Sequence, residues 1–386
     1  MNKKGNTMKI ETLVYENNGW KEVSSDLDAN AQADVNIVFL FGHTDAIKLE
    51  KRFYEIKERY PNAKIVGAST SGNIVADEVS SNELTSTAVC FEKSSAQISS
   101  INFSDDDDIE ELSKELISNL PQEDLQHIFV ISDGLLINGS QLARGINKVS
   151  NSIPVTGGLA GDGDRFQETY VIANDIPKQR TVVAVGFYGE HLTVGTGCFA
   201  GWSEFGAQRI ITKSQDNVVY EIDGEPALDL YKKYLGELAK ELPNSGLRFP
   251  LSIKENENSP EVIRTLLAID EESKSITFAG DVPEGYTARL MKADIDVLVD
   301  GAGKAARAIE PANKNTALGL VVSCVGRKIV MNYLVDDELE VVQEILGENV
   351  NLTGFYSYGE IAPFKEDIVT CQLHNQTMTL TAIYEA

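Results

Sequence analysis

Three stretches of the chain set glycines and polar residues directly behind an apolar strand pattern. One reads Ile153-Pro154-Val155-Thr156-Gly157-Gly158-Leu159-Ala160-Gly161-Asp162-Gly163. The others are Lys64-Ile65-Val66-Gly67-Ala68-Ser69-Thr70-Ser71-Gly72 and Leu352-Thr353-Gly354-Phe355-Tyr356-Ser357-Tyr358-Gly359-Glu360. Four glycines between positions 157 and 163 call for positive φ, or for a group that approaches the backbone closely. Such loops can do binding chemistry. Amides at Gly157, Gly158 and Gly161, with Arg327, would hold a carboxylate or similar anion. Asp133, Asp162 or Glu360 would hold an amino group through charge-assisted bonds, and Tyr358 stands in the third loop. The other reading is that the glycines only make tight strand exits and the carboxylates cap local amides. The threefold recurrence favours function for the set.

Other single residues carry possible chemistry. Cys324 lies in Ser-Cys-Val-Gly-Arg, where Arg327 would lower its pKa and make it a redox sensor; the alternative is a buried strand cysteine. His374 at the tip of the last hairpin, and His43 behind a strand, are candidate axial haem ligands if a pocket surrounds them, and otherwise hydrogen-bonded or surface histidines. Four histidines are too few for a His-rich metal centre, and the four cysteines form no Cys-x-x-Cys pair, which suits reduced thiols. Residues 297–306 imitate Gly-x-Gly-x-x-Ala behind a strand. The next strand ends without the acid a ribose needs, and Gly303-Lys304 lacks both the earlier glycine and the following Ser/Thr, which argues against a nucleotide. Gly163-Asp164 does not fit a calcium loop.

The elements that must position these residues repeat. Strand 35–41, a helix through Leu49, Phe53, Ile56 and Tyr60, strand 64–66, a glycine loop and paired strands 85–91 and 97–103 make one unit. The second follows a linking helix (Ile109, Leu112, Leu116, Leu120, capped by the acids 105–108). It comprises strand 127–131, a helix through Leu142, Ile146 and Val149, the glycine loop, and strands 181–187 and 192–197. The third has strand 318–324, a helix through Leu339, Val342 and Leu346, the loop at 354–360, and strands 368–373 and 378–384. Strands alternating with single helices predict an α/β fold of mixed sheets covered by helices. Residues 198–225 break the rhythm, a helix through Leu228, Tyr231, Leu235 and Leu238 follows, and 242–258 look like an exposed excursion. The expected organisation is a flexible lead-in over 1–29 and domains at 30–215 and 216–386.

Composition bounds the function. The apolar fraction of 42% is that of a globular protein, and no apolar run approaches a membrane span. A net charge of −25 repels nucleic acid and anionic lipid, so neither is expected as a partner.

At Ser132-Asp133-Gly134, Gly157 to Asp162, Gly201-Trp202 with Phe205-Gly206, Asp223-Gly224 with Pro226-Ala227-Leu228, Ser323 to Arg327, and Gly354-Phe355 through Tyr358-Gly359-Glu360, the chain resembles the FIST family, in both its N and C parts. The resemblance implies a cytoplasmic sensory module for a small, amino-acid-like ligand. Some members are similar to haem-binding nitric oxide sensors that work with histidine kinases or cyclic-di-GMP enzymes. This chain carries no F-box, kinase or transmembrane part of its own, so its output is expected to pass to a separate signalling protein. The alternatives are a haem-based nitric oxide sensor using His374, and an enzyme acting on an amino-acid-like substrate, for which no local signature is present.

Overall fold

The strand segments are continuous apolar runs because both of their faces are covered. The computed structural model describes residues 8–28, 31–80, 83–150, 152–309, 316–363 and 370–386. It is a mixed α/β protein, with three six-stranded sheets around a common core and a fourth sheet formed by residues 203–292.

Each of the three sheets has a parallel pair at its centre: Ile37–Gly42 with Lys64–Ser69, Leu125–Ser132 with Val155–Leu159, and Ala317–Cys324 with Val350–Ser357. Beside the first strand of each pair runs an antiparallel neighbour, Leu84–Phe91, Thr181–Tyr188 or Met378–Glu385. The three units then exchange strands in a ring. Past its glycine loop the first unit sends Asn73–Val75 into the third sheet, the second sends Val171–Ala173 into the first, and the third sends Gly359–Pro363 into the second. At the opposite sides, Ser95–Asn102 joins the second sheet and Leu192–Phe199 the third. Met8–Glu16 fills the corresponding place in the first. Residues 8–25, expected within a flexible lead-in, are therefore ordered strands: Met8, Ile10, Leu13, Val14 and Tyr15 are buried, and Gly19–Ser25 pairs back as the edge. Their pattern is hard to hear because both faces of Met8–Glu16 are covered, which leaves little polar alternation.

The inner faces meet in one core that contains Phe39, Phe41, Phe129, Val183, Val322 and Phe355. Phe39 packs edge-on to Phe129 at 6.1 Å, and Phe41 lies 4.8 Å from Phe355. The outer faces are covered by helices: Glu50–Arg59 on the first sheet, Ile109–Ser118 and Gly139–Asn147 on the second, Ile295–Arg307 and Asp337–Leu346 on the third. The stretch 297–306 that imitates a phosphate loop is thus helix interior. Its Gly301 lets Gly201 approach, since a Cβ there would stand 2.9 Å from the Gly201 Cα.

Between Leu192–Phe199 and Ile295–Arg307 the chain leaves this body to build the fourth sheet, in the order Val262–Arg264, Leu251–Lys254, Thr287–Lys292, Arg209–Gln215, Val218–Ile222, Ser275–Phe278 and Leu266–Asp270. It packs on Ala227–Leu235 with its own core. Residue 215 lies in a hairpin of this sheet. Leu251 and Ile253, in the stretch expected as an exposed excursion, are buried sheet residues.

One glycine recurs at the same place in every unit. A Cβ on Gly67, Gly157 or Gly354 would lie 1.7, 1.9 or 1.8 Å from the carbonyl oxygen of Leu40, Val130 or Val321 on the adjacent parallel strand. Nothing larger than hydrogen fits without moving backbone. Gly354→Ala is expected to cost more than about 3 kcal/mol. Gly19→Ala, with open space around it, should stay within about 0.5 kcal/mol. Urea denaturation of the two variants checks the contrast.

Candidate functional site

The three loops predicted from the sequence do come together. Ser71 N donates to Tyr356 O at 2.8 Å, Gly161 N to Ser69 O at 2.9 Å, and Tyr358 N to Leu159 O at 3.2 Å. Each loop thus bonds to another, and the ring closes.

Most of the polar residues expected to grip a ligand are spent inside the protein. Asp133 accepts from Leu135 N, Leu136 N, Thr169 Oγ1 and Arg180 N, all within 2.8–3.0 Å. Asp162 accepts from Phe166 N, Gln167 N and Glu168 N at 2.8–3.0 Å and from the Tyr358 hydroxyl. Burial opposes its charge, but the Tyr358 hydroxyl and these amides hold its carboxyl below the usual range. The two aspartates also stabilise left-handed backbone at non-glycine residues, Phe166 at φ 51° and Arg180 at φ 51°. Asp162 is therefore a positioning residue, which fixes the turn that carries Phe166 over Tyr358, with rings stacked at 4.6 Å and 12°.

Arg327 and its partner Glu338 are fully buried. The guanidinium donates twice to Glu338 Oε2, at 3.0 and 2.7 Å, and to the carbonyls of Leu298 (2.9 Å) and Ala200. Glu338 also accepts from Ser323 Oγ and the Tyr356 hydroxyl. This network ties the strand ends to the two helices and to the chain leaving for the fourth sheet. Glu360, also fully buried, accepts from Ser357 Oγ at 2.6 Å and from Thr377 N and Oγ1 at 3.1 and 2.9 Å. Burial pushes its carboxyl up to about 7.

His374 is buried, with Nε2 3.1 Å from Ala362 O, and burial lowers its pKa to about 4. It is not on the wall of the cavity described next, and no group of three His, Cys, Asp or Glu among the described residues could hold a metal. These residues do not fit a haem ligated by His374. Burial and the neighbouring Glu360 push the Cys324 thiol well up, so it stays protonated at ordinary pH. That is the opposite of the reactive thiolate a redox role needs.

A cavity of about 540 Å³ opens beside the second and third loops. The carboxyl end of Leu125–Ser132 supplies Gly134, Leu135, Leu136, Ile137 and Asn138. The end of Ala317–Cys324 supplies Cys324 and Gly326, and Tyr358 and Phe166 close one side. The far wall, with Asn217, Leu247, Thr265, Leu267 and Phe278, comes from the fourth sheet. Open α/β sheets bind ligands at such strand ends, and this volume is in the range of small-molecule sites. Of the residues singled out in the sequence, Tyr358 and Cys324 reach the cavity. Gly157, Gly158 and Gly161 lie within the strands and loop beside it, where close packing uses them: a Cβ on Gly161 would stand 2.3 Å from Ser71 Oγ. Leu135-Leu136-Ile137, apolar immediately past a strand end, was a readable signal that went unused. Nothing in the sequence marks Thr265 or Phe278.

The FIST N domain model matches residues 36–225 and the FIST C domain model residues 227–363. The chain belongs to the FIST family. FIST domains are sensory domains that bind small ligands, so a sensor role fits this FIST protein. An uncharacterized protein of Methanocaldococcus jannaschii is 23% identical over 94% of this chain and 76% of its own length. Among solved structures, a chorismatase aligns at TM-score 0.36 with 9% identity over 98% of both chains. A cyanuric acid hydrolase from A. caulinodans aligns at 0.34 with 8% identity over 92% of both. These likenesses are too loose to carry an argument. No helix among the described residues is long and apolar enough to cross a membrane.

Two variants test these assignments. Arg327→Met strands the buried Glu338 charge and is expected to destabilise the fold by about 3–5 kcal/mol, read by chemical denaturation. Glu360 binds its proton more tightly folded than unfolded. Its contribution to stability is therefore full below about pH 4.5 and falls away as pH rises towards about 7, a loss of roughly 3 kcal/mol. Glu360→Gln should remove that slope: its melting temperature should exceed the parent's at pH 8 and match it near pH 4.5.

Proposed function

We propose that this protein is a sensor that takes a small ligand into the cleft between the fourth sheet and the three-unit body, and passes the event to a separate protein. The observation that carries the reading is the cavity itself, set at the carboxyl ends of two parallel strand pairs with walls from both parts of the molecule. A ligand there touches both walls, so it favours whichever docking of the fourth sheet suits it best.

The joint between the two parts is well placed for this. The fourth sheet is continuous with the body only at its two chain crossings, around Gly201 and Ala293. It is latched by Asp281, whose carboxylate accepts from Arg144 Nη1 at 2.6 Å and Asn138 Nδ2 at 3.2 Å. Asp281 N donates to Ser140 Oγ at 3.2 Å. Asn138 also caps the helix Gly139–Asn147 and lines the cavity, so cavity wall, helix end and latch share one residue. For the amino-acid-like ligand expected from the sequence, the carboxylate falls to loop amides together with Arg327. Arg327 is committed to Glu338, and among the described residues no Lys, Arg or His lines the cavity, so the ligand is a small molecule without that restriction. A histidine kinase or cyclic-di-GMP enzyme remains the kind of partner this output would suit.

Native mass spectrometry of protein purified without added ligand tests the reading. A bound small molecule is expected, and it should be absent from Ala279→Trp, which fills the cavity. Hydrogen exchange should then show slower exchange at 134–139 and 278–281 when the cavity is occupied. A parent protein with no bound molecule, and with no thermal shift across a broad metabolite panel, would count decisively against a sensor.

A further inference from the structure

The cavity lining is unlike that of a site for a charged metabolite. Among the described residues its single carboxylate, Asp105, is bonded to Arg180 at 2.7 Å, and no cationic side chain lines it. Arg264 stands behind Gly280, where a Cβ would come within 3.1 Å of its Nε. Arg264 donates to the carbonyls of Asp281 (2.9 Å), Ile263 (3.2 Å) and Leu373 (3.0 Å), so its hydrogen bonds are made within the protein. Burying an unpaired carboxylate in such a lining is strongly unfavourable, and the net charge of −25 adds repulsion at a distance.

The apolar part of the wall is open to water where it need not be. Leu136, Phe166 and Leu267 are 41%, 45% and 44% exposed, and all three line this one cavity. Phe166 is held there at positive φ by the Asp162 carboxylate and stacks on Tyr358, presenting an aromatic wall. Holding a bulky aromatic residue in left-handed backbone with its side chain in water costs free energy that a merely structural turn would not require. One polar group points the same way. Thr265 lines the cavity, and its buried hydroxyl has no hydrogen-bond partner in the protein. An unpaired buried hydroxyl carries a cost that a polar atom of a ligand in the adjoining cavity would remove.

We infer that the cavity takes an uncharged, mostly apolar molecule with a flat ring system, laid against Phe166 and Tyr358 and hydrogen-bonded to the Thr265 hydroxyl. The inference rests on the cavity being the ligand site. It specifies the chemistry: aromatic area covers the exposed side chains, and one polar atom satisfies the threonine.

The test uses two fluorescent probes with one ring skeleton, neutral N-phenylnaphthylamine and its sulfonate, anilinonaphthalenesulfonate, with tryptophan as a zwitterionic competitor. With the full chain, the neutral probe is expected to bind at least about tenfold more tightly than the sulfonate, and tryptophan should not displace it. Leu267→Asp, at the exposed rim, should weaken the neutral probe by about tenfold. Thr265→Val should weaken it roughly five- to tenfold while the unliganded melting temperature holds or rises, because an unpaired hydroxyl has been removed. A fall in that melting temperature with unchanged probe affinity would make Thr265 structural and overturn its role. Sulfonate or tryptophan binding as tightly as the neutral probe, and sensitive to Leu267→Asp, would overturn the neutral class and leave the sensor reading intact. If no probe binds, the class is also overturned; a co-purified molecule in native mass spectrometry would still preserve the sensor, and its absence would remove both.

Discussion

Three close approaches of backbone to backbone set the architecture. At Gly67, Gly157 and Gly354 the second strand of each parallel pair comes so near the first that a methyl group has no room. The chain just beyond each pinch crosses to another unit's sheet, and the three crossings meet in a ring of backbone hydrogen bonds. The sheets cannot form independently of one another, since the second and third borrow a strand at either side and the first borrows Val171–Ala173. A fault at one junction is therefore felt in all three, which is the expected behaviour of a tightly packed, cooperative core.

The residues just before the three glycines show how far the units have diverged under that shared constraint. Thr156 meets Thr381 at 2.6 Å and Thr353 meets Thr87 at 2.9 Å, each a hydroxyl pair bridging two sheets. The matching positions of the remaining junction, Val66 and Val185, are both apolar and both in the central core. Either solution satisfies a buried site, a paired hydroxyl or none at all. His127 adds to the first pair, with Nε2 2.8 Å from Thr156 Oγ1, and burial keeps it neutral by lowering its pKa to about 3. The chemistry at these positions is packing chemistry.

That distinction explains what could be read from the sequence. The parallel pairs and their helices were legible because apolar periodicity reports which faces are covered, and the glycine repeat was legible because no other residue tolerates the pinch. Strand exchange was not, since periodicity says that a strand is buried and not against which sheet. Met8–Glu16 could not announce that it completes the first sheet. The site was legible at coarse grain, as loops that gather at strand ends, with Tyr358 and Cys324 on the cavity wall. It misled at the level of charge. Arg327, Glu360, Asp133 and Asp162 look like ligand groups in one dimension. In three dimensions each has its hydrogen bonds filled by protein, because a polar group this deep in a junction must be hydrogen-bonded or paired to be tolerated.

The cavity follows from a break in the threefold pattern. All three units put a glycine at or just past the end of their first strand on the same side: Gly42-His43, Asp133-Gly134 and Val325-Gly326. From the first unit to the second the chain passes from Asn102 to the helix at Ile109 in a few residues. From the second to the third it detours through the whole fourth sheet, from Phe199 to Ile295. That detour lays Thr265, Leu267 and Phe278 across the ends of the second and third units. A frame with three comparable strand ends thus acquires one roofed cavity. The roof is joined covalently to the rest at two chain crossings and held by side-chain bonds at Asp281, Arg264 and Gln376, so a ligand under it would bear on contacts from both parts.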